Sequence, residues 1–122
     1  KYISTDLKYT LSDRLIQLNR IYGLCKICNM SNIFSISSTV YMNNITLKKL
    51  KKLNILVIKI DRDFNSLKKF KIYKNTNVVG VDIPFPEPKQ PDLVIENNIE
   101  TANFDSMLEK VLTLAEIRKI RR

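Results

Sequence analysis

Arg14 and Arg20 are the side chains of this sequence best suited to hold an anion, because a guanidinium is a planar fork that grips an oxyanion through two parallel hydrogen bonds. They stand six apart, which puts them on different faces of a helix unless its first turn is frayed. For Arg14 the plainer alternative is a surface ion pair with Asp13 or another acid. Cys25 and Cys28 form a C-x-x-C, but within a helical pattern. A redox pair needs its thiolate at a helix N-terminus, and a zinc site needs two further ligands, so both cysteines read as core packing. The sequence has no histidine, which excludes His-based triads and His-ligated zinc, and no metal site is expected. Asp61 and Asp63 follow an apolar strand, where doubly wound sheets place ligands; a helix N-cap with a solvated neighbour is the simpler account. Tyr41 and Phe85 either stack on a base or fill core.

The elements that carry these residues follow from apolar spacing. Residues 13 to 30 place Leu15, Leu18, Ile21, Tyr22, Cys25 and Cys28 on one helical face, with Ser12 as the expected N-cap. Ile33 to Thr39 is short, β-branched and Ser-rich, which predicts a buried strand opening into a loop at Tyr41 to Asn44. Ile45 to Leu53 predicts a helix with Leu47, Leu50 and Leu53 inward, closed by Asn54, its Lys48, Lys49, Lys51 and Lys52 forming the wet face. Ile55 to Ile60 is a near-continuous apolar run of the kind buried in parallel sheets, and a short helix is expected from Asp63 to about Lys71. Val78 to Pro91 holds all four prolines and must be mostly loop. Leu93 to Glu96 is a last strand. Thr101 or Asn103 then caps a final helix whose apolar face is Phe104, Met107, Leu108, Val111, Leu112 and Ala115, ending in Arg118, Arg121 and Arg122.

Helices alternating with apolar strands predict an α/β fold, a parallel sheet flanked by helices and joined by right-handed crossovers. A length of 122 residues suits one domain spanning 1–122, with neither an internal repeat nor a boundary. No apolar run approaches the ~20 residues of a membrane span, so no membrane partner is expected. Two cysteines point to a reducing, cytoplasmic setting. The net charge of +9 is uneven, +11 over residues 1–80 and −2 over 81–122, which directs the first part toward an anionic partner. Ile, Asn and Lys supply 43 residues, a bias of the kind an AT-rich coding sequence produces, and this discounts the lysine count. A small basic nucleic-acid binder would rest on charge alone, without interleaved aromatics or a recognition motif, and is disfavoured.

Val79-Gly-Val-Asp-Ile-Pro-Phe-Pro-Glu-Pro-Lys-Gln-Pro-Asp-Leu-Val-Ile-Glu96 resembles the adenylylsulfate kinase segment T-G-I-D-x-P-Y-E-x-P-x-x-P-D-L-V-L-D. Gly80, Asp82, Pro84, Glu87, Pro88, Pro91, Asp92, Leu93 and Val94 fit that pattern with small shifts. Upstream, Asp6, Leu7, Tyr9, Asp13 and Arg14 are similar to that family's D-L-G-F-S-x-x-D-R. Arg20 is kept, Gln17 replaces an Asn and Asn19 an Arg. Thr39-Val-Tyr41-Met42 resembles I-S-P-Y-R with Tyr41 kept, and Lys71-Ile-Tyr-Lys74 resembles the G-L-Y-K that opens the lid.

The resemblance implies a P-loop kinase fold that moves the γ-phosphoryl of ATP, with Mg²⁺, onto a hydroxyl of a nucleotide-linked acceptor, adenylylsulfate or cytidine diphosphoramidate. It implies acceptor-side roles for Arg14, Gln17, Arg20, Tyr41, Tyr73, Lys74, Gly80, Asp82 and Phe85, and leaves a homodimer open. Three features depart from the family. No G-x-x-x-x-G-K-[ST] is present, Gly23 and Gly80 being the only glycines; the family's first strand and P-loop would lie before Lys1. The lid is shortened after Lys74. The stretch Asp61 to Phe70 is a few residues short, and the Arg expected there has no unambiguous match, with Lys68 or Lys69 standing nearby. These 122 residues are therefore expected not to turn over ATP. The alternative in another class is a non-catalytic nucleotide-binding or assembly module derived from such a kinase.

Overall fold

Thr10 is extended (φ −68°, ψ 163°), and its hydroxyl accepts from the Asp13 N–H while donating to the Asp13 carboxylate at 2.6 Å. That reciprocal pair starts helix α1, Leu11–Met30, in the computed structural model, which describes residues 4–63, 77–98 and 103–120. The cap is thus Thr10 and not Ser12, which lies one residue inside the helix: the oxygen that reaches the Asp13 N–H is three residues before it. Helix α2, Asn44–Lys52, starts in the same way, with Asn43 Oδ1 accepting from Thr46 N at 2.8 Å. Leu47 and Leu50 turn inward as the spacing requires, and Asn29 Nδ2 donates to the Leu53 carbonyl at the far end.

Strand β1 is Ile58–Asp61 and strand β2 is Leu93–Glu96. They pair in parallel, Ile58 opposite Leu93 and Asp61 opposite Glu96. Helix α3, Phe104–Ile120, is capped by Asn103, whose Oδ1 accepts from Ser106 N. Among the described residues the architecture is therefore α/β, three helices and a two-stranded parallel sheet.

Two small clusters form the core. Leu18, at 1% exposure, packs with Tyr41 and Ile83, and Leu47 and Leu50 pack with Val57. Met42 touches both clusters and joins them. The first unites α1, the segment after it and the Pro-rich loop; the second seats α2 against the run leading into β1.

Three expectations need correction. Ile33 to Thr39 forms no strand: it is extended but lies outside the sheet, and residues 31–38 are exposed. A parallel strand requires a neighbour to satisfy its N–H and C=O groups, and among the described residues β1 pairs only with β2. The predicted strand 55–60 shortens and shifts to Ile58–Asp61, because Ile55 N turns back to the Leu50 carbonyl and Val57 N is taken by a side chain, the Asp92 carboxylate. On α3, Met107, Val111 and Ala115 are half-buried while Phe104, Leu108 and Leu112 are exposed, so only half of the expected face is covered. The helix expected from Asp63 to Lys71, the candidate cap Thr101, and the side chains of Arg118, Arg121 and Arg122 lie outside the described residues.

Tight turns use asparagine in place of glycine. Asn32 (φ 53°), Asn54 (φ 56°) and Asn77 (φ 62°) are left-handed, joined by Gln90 (φ 60°) and by Gly80 (φ 86°). Asn tolerates this region better than most residues because its short amide bonds locally to the backbone.

Candidate anion-binding cleft

The first two turns of α1, the segment before it and the segment 38–41 enclose an open cleft of about 380 Å³. Arg14, Gln17 and Tyr41 all line it, together with Ser4, Lys8 and Tyr9. Its geometry follows from how each side chain is held. Arg14 Nη2 donates to the Asn77 carbonyl at 3.3 Å, and its guanidinium carbon lies 5.6 Å from the centre of the Tyr9 ring. Nε of Arg14 is buried and has no hydrogen-bond partner among the described residues, which leaves a charged donor unsatisfied there. Arg14 does not pair with Asp13, whose carboxylate is taken by Thr10. Ser4 Oγ donates to Gln17 Oε1 at 2.8 Å, so the amide N–H₂ is what Gln17 has left to offer. Tyr41 belongs to the core, 8% exposed against Leu18 and Ile83, and closes one side of the cleft.

Arg20 sits elsewhere. It forms a bidentate pair with Asp6, both bonds 2.6 Å, and does not line the cleft. The Arg20 hydrogen bonds hold the Asp6 carboxyl at about 2, well below its usual range, and the same bond raises the Arg20 pKa. This pair fastens the segment carrying Ser4, Leu7, Lys8 and Tyr9 onto α1, so Arg20 shapes a wall of the cleft from outside it. Sequence spacing missed the pairing because fourteen residues separate the partners, beyond any helical repeat.

Gly80, Asp82 and Phe85 do not line the cleft. Gly80 and Asp82 build the turn beside it: Val78 O accepts from the N–H groups of Val81, Asp82 and Ile83, Gly80 N donates to Ile83 O, and the Asp82 carboxylate accepts from Val78 N. Gly80 supplies the positive φ this closure needs. The turn buries Ile83 under Leu18 and Tyr41, and Asn77 just before it takes the Arg14 bond. Phe85 is half-buried in the loop that follows. Tyr73 and Lys74 lie outside the described residues.

Comparison with protein-family models, curated proteins and solved structures finds no match. The cleft must therefore be interpreted from its own chemistry.

The Pro-rich loop is held by side chains because prolines remove backbone donors. Asn44 grips it twice, Nδ2 to the Glu87 carbonyl at 3.5 Å and Oδ1 from the Lys89 N–H at 2.7 Å. Lys59, on β1, bonds both Glu87 carboxylate oxygens and Asp61. Burial opposes the Lys59 charge, but its bonds to Glu87 and Asp61 outweigh that and raise its pKa. Asp61 is thus committed to Lys59 and to the Arg62 N–H. Asp63 N donates to Asn98 Oδ1. Lys51 lies 3.8 Å from Asp92, and Lys49 faces the Tyr22 ring. Cys25 and Cys28 are half-buried free thiols; Cys25 packs against the Leu47–Leu50–Val57 cluster, with its Sγ at 3.5 Å from Ser37 Oγ.

The ATP and Mg²⁺ implied by the family resemblance do not fit the described residues. A phosphate cradle needs consecutive backbone N–H groups opened by glycine, whereas Gly23 lies inside α1 and Gly80 N is spent on Ile83. Among the described residues no three His, Cys, Asp or Glu side chains stand close enough to share a metal ion.

Proposed function

We propose that this chain is the acceptor-binding part of a phosphotransferase similar to the adenylylsulfate kinases, and that the α1 cleft takes the anionic group of a nucleotide-linked small molecule. The observation that carries the reading is Arg14: a guanidinium whose buried Nε lacks a partner among the described residues, at the edge of a cleft that Lys8, Gln17 and two tyrosines also line. An oxyanion supplies the missing acceptor, Lys8 adds charge, and Tyr9 gives an exposed ring on which a base stacks. The kinase fold, a cytoplasmic setting and transfer of phosphate from ATP are parts of the same proposal, and they rest on the resemblance of residues 79–96 and 5–14. No helix of the described residues is long and apolar enough to cross a membrane, in keeping with a ligand drawn from solution.

A binding module without turnover is the second reading, favoured by the lack of a phosphate cradle in the described residues. Calorimetric titration with adenylylsulfate and with cytidine diphosphate tests the cleft. Binding to the wild type is expected, weakened ~10-fold or more in Arg14→Ala, the worth of one charge-assisted contact. Equal affinity of the two proteins, with unchanged circular dichroism, overturns the assignment. Phosphorylated product in the presence of radiolabelled ATP selects the kinase; binding without product selects the module.

A further inference from the structure

Residues 14–60 carry eight basic side chains and no acidic one, although the sequence holds twelve Asp and Glu. Coding bias that enriches lysine adds bases; it does not clear acids from so long a stretch. Where these bases face the rest of the chain, acids reach them from outside the stretch: Asp6 meets Arg20, Asp92 approaches Lys51, and Asp61 and Glu87 hold Lys59. Lys26, Lys48, Lys49 and Lys52 are exposed, and among the described residues none of them forms an ion pair.

These four lysines belong to one surface, the seam where α2 lies along the second half of α1. Lys49 Nζ stands 5.5 Å from the centre of the Tyr22 ring, and Asn29 Nδ2 donates to the Leu53 carbonyl, so Tyr22 is level with Lys49 and Asn29 with Leu53. Lys26 is one turn past Tyr22 and Lys52 one turn past Lys49, which places them beside each other. Ile45, Lys48, Lys49 and Lys52 share the outer face of α2 by their i, i+3, i+4, i+7 spacing. Two aliphatic side chains stand out among the lysines, Ile45 at 68% exposure and Met30, one turn past Lys26, at 71%.

We infer that this seam docks on an anionic lipid bilayer, along which the protein lies without crossing it. Charge complementarity calls for a polyanion, and two features favour lipid. Lys49 already covers the Tyr22 ring on which a nucleic-acid base would stack. Exposed aliphatic side chains set among lysines are the make-up of an interfacial face, the ammonium groups on the head groups and the aliphatic tips at the acyl boundary. Such contact requires no membrane-spanning helix. The cleft draws its α1 residues from Asp13 to Ile21, so the seam sits at the other end of that helix.

Co-sedimentation with vesicles tests this. The wild type is expected to bind vesicles of phosphatidylcholine containing about a third phosphatidylglycerol and to ignore phosphatidylcholine alone. Binding should fall steeply between about 0.1 M and 1 M salt, as the screening length shrinks from ~10 Å to ~3 Å. A lysine at an anionic surface is worth about fivefold in affinity, so Lys48→Gln with Lys52→Gln should weaken binding ~25-fold. Lys89→Gln with Lys110→Gln removes the same charge from other exposed positions and should cost ~2-fold at most. Ile45→Ser with Met30→Ser should weaken binding ~10-fold or more. All six side chains are exposed, so circular dichroism should match the wild type throughout. A wild type that ignores the anionic vesicles, or binds both kinds equally, overturns the inference. So do two lysine pairs of equal effect, or a serine pair without effect. Tighter binding to poly-glutamate or duplex DNA than to the vesicles, lost with Lys48 and Lys52, gives the seam to a soluble polyanion and overturns it too.

Discussion

Asp92 offers the sharpest test of how the sheet is registered. Its carboxylate accepts from Val57 N at 2.8 Å, while its own N–H donates to the Val57 carbonyl at 2.9 Å. This reciprocal pair sits one residue before Ile58 meets Leu93 and locks the first rung of a four-residue ladder. Asp92→Ala leaves the N–H of buried Val57 without an acceptor; a lost hydrogen bond to a charged group plus that desolvation amounts to about 2–3 kcal/mol. Asp92→Asn keeps an acceptor oxygen and forfeits the charge assistance and the 3.8 Å approach of Lys51, the latter worth about 0–1 kcal/mol because Lys51 is a third exposed. A loss of about 1 kcal/mol is therefore expected for Asn. In urea unfolding with m of about 1.5 kcal/mol/M, the Ala midpoint falls by roughly 1.5 M and the Asn midpoint by less than half of that. If Ala and Asn destabilise equally, or neither moves the midpoint, the carboxylate is not what registers β1 against β2.

The two glycines should respond with opposite signs to alanine. A Cβ at Gly80 meets no atom within 4 Å but sits on a φ of 86°, so Gly80→Ala should cost about 1–2 kcal/mol by thermal unfolding. Gly23 is mid-helix with open space around it, so Gly23→Ala should stabilise by about 0.5–1 kcal/mol; a loss there refutes the open helix face. The Asp6 carboxyl titrates near 2 in the folded protein against 3.8 in the unfolded chain. Its contribution to stability is therefore complete above pH ~4 and fades as the pH falls toward 2. Carbon-detected NMR should place the Asp6 midpoint well below the ordinary carboxylate range, and Arg20→Gln should return it toward that range.

What spacing alone revealed was the local part of the fold. The inward leucines of α2, the span of β2 and the loop between Val78 and Pro91 all follow from neighbours in sequence. The strand expected at Ile33 to Thr39 failed because the same β-branched pattern is compatible with an extended segment leaning on a helix, and only a partner strand distinguishes the two. α1 misled in a related way: Ile16, Ile27 and Met30 lie on its exposed side, so apolar residues surround the helix and periodicity picks no single face. In the cleft, Arg14, Gln17 and Tyr41 stand together, while Gly80 and Asp82 shape the turn next to it. Lys8 and Ser4 carried no signal, since their place depends on the Asp6–Arg20 clasp, a contact no short-range rule encodes.

The left-handed asparagines at 32, 54 and 77 bear on folding from the side of the unfolded chain. Glycine would fit each bend without strain, but it would also widen the wandering of the denatured backbone at three points. An asparagine surrenders less freedom when it is fixed, an advantage of a few tenths to about 1 kcal/mol per site that offsets much of its discomfort at positive φ. A polypeptide this poor in glycine thus begins its search from a narrower starting ensemble.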